Sequence, residues 1–251
     1  MPMVEEPPSL DSKFNQDYFS TEAYSGVSFE RYSQYWWSNR YYGKLILKHG
    51  PGSGRVLEIG CGLGHLLGWL VNTYEVYGTD INPWALYSAT KNVPQGKYLY
   101  LSAEDLGVFP DHVFQVVIAK HVVEHLIDPE AAIAEISRVL APGGLLLLAT
   151  PNTASIARSI KKSDWIGYQD PTHVSLWSPE KWLNTIRTNN LMPTKVYSDG
   201  FWDAPYLPWL PTSVQKVLFG APGGFQAMIG WSIIPLRLGE SLIVLAEKNE
   251  R

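Results

Sequence analysis

The stretch "RVLEIGCGLGHLL", Arg55 to Leu67, runs from a β-rich segment through three closely spaced glycines into an apolar segment. Glycines in a strand-to-helix turn let the backbone approach a ligand closely, which Gly60, Gly62 and Gly64 would permit here. Asp80 closes the next β-rich run about twenty residues later, where a doubly wound sheet places the acid that holds a ribose diol. Strand, glycine turn, helix, strand and acid together indicate an adenosine-type cofactor.

The spacing selects among such cofactors. A dinucleotide fingerprint, G-x-G-x-x-G, needs its third glycine for tight packing of helix on strand, and counting from Gly60 that position holds His65. The acid Glu58, two residues before the first glycine, would crowd a pyrophosphate and suit a cation. A sulfonium cofactor with an α-amino group fits this turn better than NAD.

Outward from the turn, short β-rich runs alternate with helical patterns between Arg55 and Thr150, the signature of βαβ units on a parallel sheet. Strands are expected at "RVLEI", "EVYGT", "KYLYL", "FQVVIA" and "LLLLAT", and helices at "HLLGWLVNT", "NPWALYSATKN" and "PEAAIAEISRVL". In the last of these, Ile133, Ile136 and Leu140 recur at helical spacing behind an Asp128 N-cap with Pro129 at N1, and "APGG" should end it. Before the sheet, "RYSQYWWSNRYYGKLILKHG" reads as an aromatic helix over the carboxyl edge of the sheet. After it come a helix "SPEKWLNTIRTNN" capped by Ser178, a strand "TKVYS" and a final strand "ESLIVLAE".

These motifs resemble those of the class I S-adenosylmethionine-dependent methyltransferases, from about Arg40 to Glu247. "VLEIGCGLGHLL" looks like their first motif, "YGTDIN" their second, "LSAEDL" their third, and "VFQVVIAKHVVEHLIDPEAAIAEISRVLAPGGLLLLATPN" the block over their fourth and fifth strands. The resemblance implies a Rossmann-like, doubly wound, seven-stranded, mostly parallel α/β sheet with an antiparallel last strand. It also implies S-adenosyl-L-methionine as cofactor and a small-molecule acceptor, such as a sugar, a lipid-linked sugar or a quinone precursor. By residue, Glu58, Gly60, Gly62 and Gly64 would hold the methionine and sugar portion, Asp80 the ribose hydroxyls and Ile81 one face of the adenine, with Cys61 and Lys120 in the same lining. The family commonly has an acid where this chain has Ser102, so Ala103, Glu104 or Asp105 would supply the adenine contact. Arg40 stands eighteen residues before Glu58, where similar ubiquinone-pathway O-methyltransferases place an arginine for the cofactor's carboxylate.

"IAKHVVEHLIDP", Ile118 to Pro129, contains H-x-x-E-H, the pattern of one zinc-peptidase class. That chemistry needs both histidines on one face of a continuous helix. Here the motif follows directly on a strand, and the helix begins only at Pro129, so the motif is expected on a loop at the carboxyl edge of the sheet, with no metal. A divalent ion on His121, Glu124 and His125 is the variant some ubiquinone-pathway relatives suggest. Methyl transfer to a hydroxyl needs a proton acceptor, and imidazole titrates in the right range. His121, His125 and His173 are the candidates, with His121 the best placed and Asp170 a possible partner of His173.

From Ala204 to Leu236 the only charged residue is Lys216, and five prolines argue against one continuous helix. Two readings stand: a buried lid or homodimer surface, or a peripheral membrane contact through residues 201–238. The whole is expected as a single domain over 1–251, with a helical cap to residue 50, a cofactor-binding core at 51–150 and a substrate-side half at 151–251. At 251 residues, 45% hydrophobic and 18% charged, the composition is that of a soluble globular protein with one large core. A net charge of -4 offers no basic surplus for nucleic acid. Cys61 is the one cysteine, and the first residues lack a basic and an apolar leader region, so a cytoplasmic protein is expected, at most peripheral to the inner face of a membrane. A cofactor-binding regulator or partner without transfer activity is the competing function.

Overall fold

Helix α1 (Gln34–His49) begins at Ser33, whose hydroxyl accepts the Trp36 N–H, in the computed structural model, which describes residues 28–250. The part of the expected N-terminal cap before residue 28 lies outside the described residues. The chain continues through β1 (Arg55–Ile59), β2 (Glu75–Asp80), α2 (Pro83–Asn92), β3 (Lys97–Tyr100), β4 (Phe114–Lys120), α3 (Pro129–Val139) and β5 (Leu140–Pro151). Short helices α4 (Ile156–Lys161) and α5 (Ile166–Gln169) precede α6 (Pro179–Thr188), β6 (Leu191–Ser198), α7 (Thr212–Ile229) and β7 (Ser241–Lys248). The seven strands form one sheet in the order β3-β2-β1-β4-β5-β7-β6, with β7 antiparallel to both neighbours. This is the expected α/β topology.

The central strands are mostly apolar on both faces, Glu58, Gln115 and Lys120 being among the exceptions in β1 and β4, because both faces are covered. Leu57, Val117, Leu146 and Val244 point to one face, under Ile133 and Ile136 of α3 and Trp182 of α6. Val56, Val116, Leu145 and Ile243 point to the other, under Tyr42, Leu45 and Ile46 of α1. Helix α1 therefore lies along a face of the sheet, and only its first turns reach the carboxyl edge; the apolar Leu45 and Ile46 at its far end gain more from a sheet face than from a rim.

Three local expectations differ. The segment His65–Thr73 is a string of turns around a short 3-10 helix, Leu67–Trp69, in place of an α-helix. The N–H groups of Gly68 and Val71 reach back four residues while those of Trp69 and Leu70 reach back three, and Gly68 in the middle favours neither pattern. "APGG" does not separate α3 from β5. Leu140 already pairs with Phe114, and the four following residues form a bulge, with Gly143 at φ +70°, before Val116 pairs with Leu145. The insert does hold a continuous helix, the 18-residue α7. Pro205 and Pro208 precede it, Pro211 is its N-cap and Pro235 follows it, so Pro222 alone must be accommodated in its interior. Left-handed Gly230, at φ +70°, ends it. No helix among the described residues is long and apolar enough to cross a membrane.

Candidate active site

The glycine turn sits at the carboxyl end of β1 with Gly60, Gly62 and Gly64 at φ +63°, +50° and +76°, all in the left-handed region. A Cβ on Gly60 would stand 2.3 Å from Val122 Cγ2, and one on Gly64 would stand 3.0 Å from Ala89 Cβ of α2. The first glycine thus brings the turn against the H-V-V-E-H loop. Asp80, at the end of β2, accepts the Gly62 N–H at 2.8 Å and the Asn82 N–H at 2.9 Å. Burial raises its pKa, and these backbone donors partly offset that.

Glu58 is buried beneath the turn, with Oε2 lacking a hydrogen-bond partner. Burial drives its pKa up; the Lys120 ammonium opposes that and the Asp80 charge adds to it. Lys120, at the end of β4, donates to Asn39 Oδ1 at 2.9 Å and is itself pushed down by burial, with Glu58 and Asp199 opposing. A buried acid with an unpartnered oxygen and a half-buried one at the same turn favour a cationic ligand and would repel a pyrophosphate. By that test these residues suit S-adenosylmethionine, whose sulfonium and α-ammonium are both cationic.

The structure distributes the other expected cofactor residues unevenly. Ile81 is exposed beside Asp80. Cys61 lends its backbone to the turn, its N–H bonding Thr79 O, while its thiol is buried towards Gly78. Ala103 is buried; Glu104 Oε1 accepts the Asp128 N–H at 2.9 Å, and Asp105 Oδ1 the Gly107 N–H. Arg40 departs from its expected place. Its Nη1 donates to Ala227 O and Met228 O, at 3.2 and 3.3 Å, so its guanidinium satisfies the open carbonyls at the end of α7. The α1 residue that reaches the glycine-turn side is its neighbour, Asn39.

The H-V-V-E-H motif lies on a loop, as its place after a strand suggested. His121 is left-handed, at φ +53°, with its N–H on Ala149 O at 2.8 Å, and only Val123–His125 form a single 3-10 turn. That turn does not put two histidines on one face of a helix, so the peptidase geometry is missing. Glu124 is fully buried and accepts His121 Nδ1 at 3.1 Å. Burial pushes the Glu124 carboxyl up, yet the hydrogen bond and charge of His121, the charge of His125 and a backbone N–H together more than offset it, leaving its pKa below the ordinary value. His125 is held through Nδ1 by Thr172 Oγ1 at 2.8 Å, and its ring lies 4.7 Å from that of His173. Burial lowers the His125 pKa, with Glu124 opposing. His173 donates Nδ1–H to Gly167 O at 2.8 Å, and Asp170 stands 3.9 Å from its Nε2. Ser175 closes this loop onto the motif by bonding Glu124 O and Leu126 O. All three histidines therefore meet on one side of the edge. Glu124, His125 and His173 each bring an atom able to ligate a metal within 4.8 Å of the others, so among the described residues the group that could hold an ion includes His173 in place of His121.

Two further residues belong to this edge. Asp199, one residue past β6, is half-buried, accepts Ser241 N–H and Oγ–H at 2.9 and 2.6 Å, and its charge acts on Lys120 and His121. The signal that could have found it is an acid just beyond a strand end, the same signal that singled out Asp80. His65 helps line a cavity of about 270 Å³ with Phe29, Tyr35, Trp36, Asn39 and Trp69 beside the glycine turn. Its signal was weaker, a histidine following the last glycine.

Comparison with known proteins agrees with this geometry. A family model described as a methyltransferase domain matches residues 57–148. The ubiquinone biosynthesis O-methyltransferase of Cereibacter sphaeroides is 33% identical over 150 residues, 55% of this chain and 60% of that protein. The 2-methyl-6-phytyl-1,4-hydroquinone methyltransferase of Synechocystis is 28% identical over 182 residues, covering 67% of this chain and 55% of its own length. The chain thus spans less than two thirds of these relatives. The solved S-adenosylmethionine-dependent methyltransferase of Archaeoglobus fulgidus superposes with a TM-score of 0.59 at 20% identity, over 83% of this chain and 94% of that one, a likeness of fold.

Proposed function

Since the chain belongs to the class I S-adenosylmethionine-dependent methyltransferases, we propose that it moves a methyl group from that cofactor to a hydroxyl oxygen of a small molecule. The observation that carries the reading is the His121–Glu124 pair, a partly exposed imidazole fixed by a fully buried carboxylate beside the glycine turn. The printed name of the Cereibacter O-methyltransferase supports oxygen as the atom methylated, and that name with the Synechocystis hydroquinone methyltransferase supports a quinone precursor as the acceptor class.

Glu58 and the Gly60–Gly64 backbone would hold the methionine end, Asp80 the ribose, and Ile81 with the Ala103–Asp105 segment the adenine. Bound there, the cofactor supplies a methyl carbon on a sulfonium whose sulfur leaves as a thioether. The chain aligns the acceptor for in-line displacement and removes its proton. Glu124 holds the proton of His121 on Nδ1, so Nε2 is the nitrogen that takes the acceptor's proton as the oxygen–carbon bond forms, and the buried carboxylate stabilises the resulting imidazolium. His173, with Asp170 near Nε2, is the alternate base, and His125 props it. Lys120 on Asn39 keeps Glu58 from standing as a lone buried charge.

The competing reading, a cofactor-binding partner without transfer activity, is separated by one experiment. Purified protein is examined by mass spectrometry for bound S-adenosylmethionine or S-adenosylhomocysteine, then incubated with labelled cofactor and cell extracts with and without lipids. Label in an extract molecule supports the enzyme; bound cofactor with no label in any extract supports the partner.

A further inference from the structure

Helix α7 is amphipathic in the reverse sense of a surface helix. Its two fully buried side chains are Gln215 and Gln226, and its exposed stripe is Val214, Val217, Leu218, Ala221, Phe225 and Met228, which recurs at helical spacing on a single face. Val217 is 72% exposed, and Trp209, just before the helix, 75%. Trp231 and Ile233 continue the exposed apolar surface past its end.

The helix cannot simply roll to hide this stripe. Gln215 Oε1 accepts the N–H groups of Tyr206 and Leu207, and its Nε2 donates to Leu207 O and Leu210 O. Gln226 Oε1 accepts the N–H groups of Ile233 and Ile234, and its Nε2 donates to Ser198 O. Rotation would break seven hydrogen bonds, three buried and four part-buried, each costly to leave unmade. The glutamines hold the apolar face outward.

The flanking charge indicates what covers it. On a chain of net charge -4, the only charge from Ala204 to Leu236 is Lys216 on α7 itself. At the helix C-terminus Arg40 and Lys44 bond the Met228 carbonyl, and Lys48 lies 5.3 Å over the Trp231 ring. Lys195 adds a further positive charge nearby: burial first, then the charges of Lys195 and Lys48, lower the His49 pKa. An apolar helical face with exposed tryptophans and a cationic border matches an anionic bilayer surface, where tryptophan and the lysine stems lie at headgroup level. A second copy of the chain would bring like charges together at the same border.

We propose that α7, with Trp209 and Trp231, docks the protein on an anionic phospholipid surface, lying in the interface plane. The helix packs directly against the loop after β6: a Cβ on Gly223 would stand 2.6 Å from Asp199 O, and the charge of Asp199 acts on His121. A docked chain thus presents its carboxyl edge beside the bilayer, where an acceptor with a lipid tail would be met. The docking itself does not depend on methyl transfer.

The test is co-sedimentation of the full chain with vesicles of phosphatidylcholine alone and of phosphatidylcholine with phosphatidylglycerol. Binding to the anionic vesicles, weakened by salt and much lower on phosphatidylcholine alone, is expected. Val217→Asp with Leu218→Asp, both exposed, should weaken that binding by about tenfold or more with the thermal midpoint unchanged. Lys48→Glu should reduce the preference for the anionic vesicles. Failure to sediment with either vesicle overturns the proposal. So does a dimer on size-exclusion chromatography that the double substitution converts to monomer, since the face would then belong to a second copy.

Discussion

Asp80 Oδ2 accepts the backbone N–H of Gly62 at 2.8 Å, so the acid that ends the second strand also holds the middle of the glycine turn. A carboxylate can accept more than the two bonds that Gly62 and Asn82 supply, which leaves it capacity for the hydroxyls of a ribose. Asp80→Ala is expected to weaken S-adenosylmethionine by about 1–3 kcal/mol in calorimetry. Asp80→Asn, which retains an acceptor for Gly62, should lose less. An unchanged affinity in Asp80→Ala would show that the ribose lies elsewhere.

Stability should carry the titration of Glu240. Its carboxyl accepts Tyr206 Oη–H at 2.7 Å and Trp165 Nε1–H at 3.1 Å, joining the insert and α4–α5 region to the start of β7. Burial pushes its pKa from 4.5 up to about 7, with those two donors opposing. Between these values the folded protein keeps a proton that the unfolded chain has lost, so stability falls as pH rises through the window. The loss is on the order of 2–3 kcal/mol between roughly pH 4.5 and 7. Urea unfolding across that range should show this slope in the parent and a flatter one in Glu240→Gln. Equal slopes would remove Glu240 as the cause.

Proton removal by an imidazole needs no metal. Although Glu124, His125 and His173 could converge on an ion, transfer activity should survive a chelator, and elemental analysis should find no stoichiometric zinc. Abolition by chelator with recovery on adding a divalent ion would assign the step to that ion.

Much of the sheet was legible because its signals are local. Strand runs, the Asp128–Pro129 and Ser178–Pro179 starts and the glycine turn each rest on residues adjacent in the chain. What was misread depends on tertiary contacts. Arg40 sits at a spacing that suits a cofactor carboxylate, yet it is claimed by carbonyls 187 and 188 residues away. The insert's prolines suggested broken structure, but all save Pro222 fall outside the interior of α7. Asp199 was invisible as a site residue because what it meets comes from two other parts of the sheet edge: its partner Ser241 at the start of β7, and the charges of Lys120 and His121 at the end of β4.

The account rests most heavily on His121 as the base, and the direct measurement is single-turnover methyl transfer by His121→Ala set beside its calorimetric affinity for S-adenosylmethionine. Loss of a general base costs about a hundredfold to ten-thousandfold in rate while cofactor binding survives. The account predicts that separation, with His173→Ala less affected. Turnover at the parental rate in His121→Ala, with cofactor affinity intact, would contradict it.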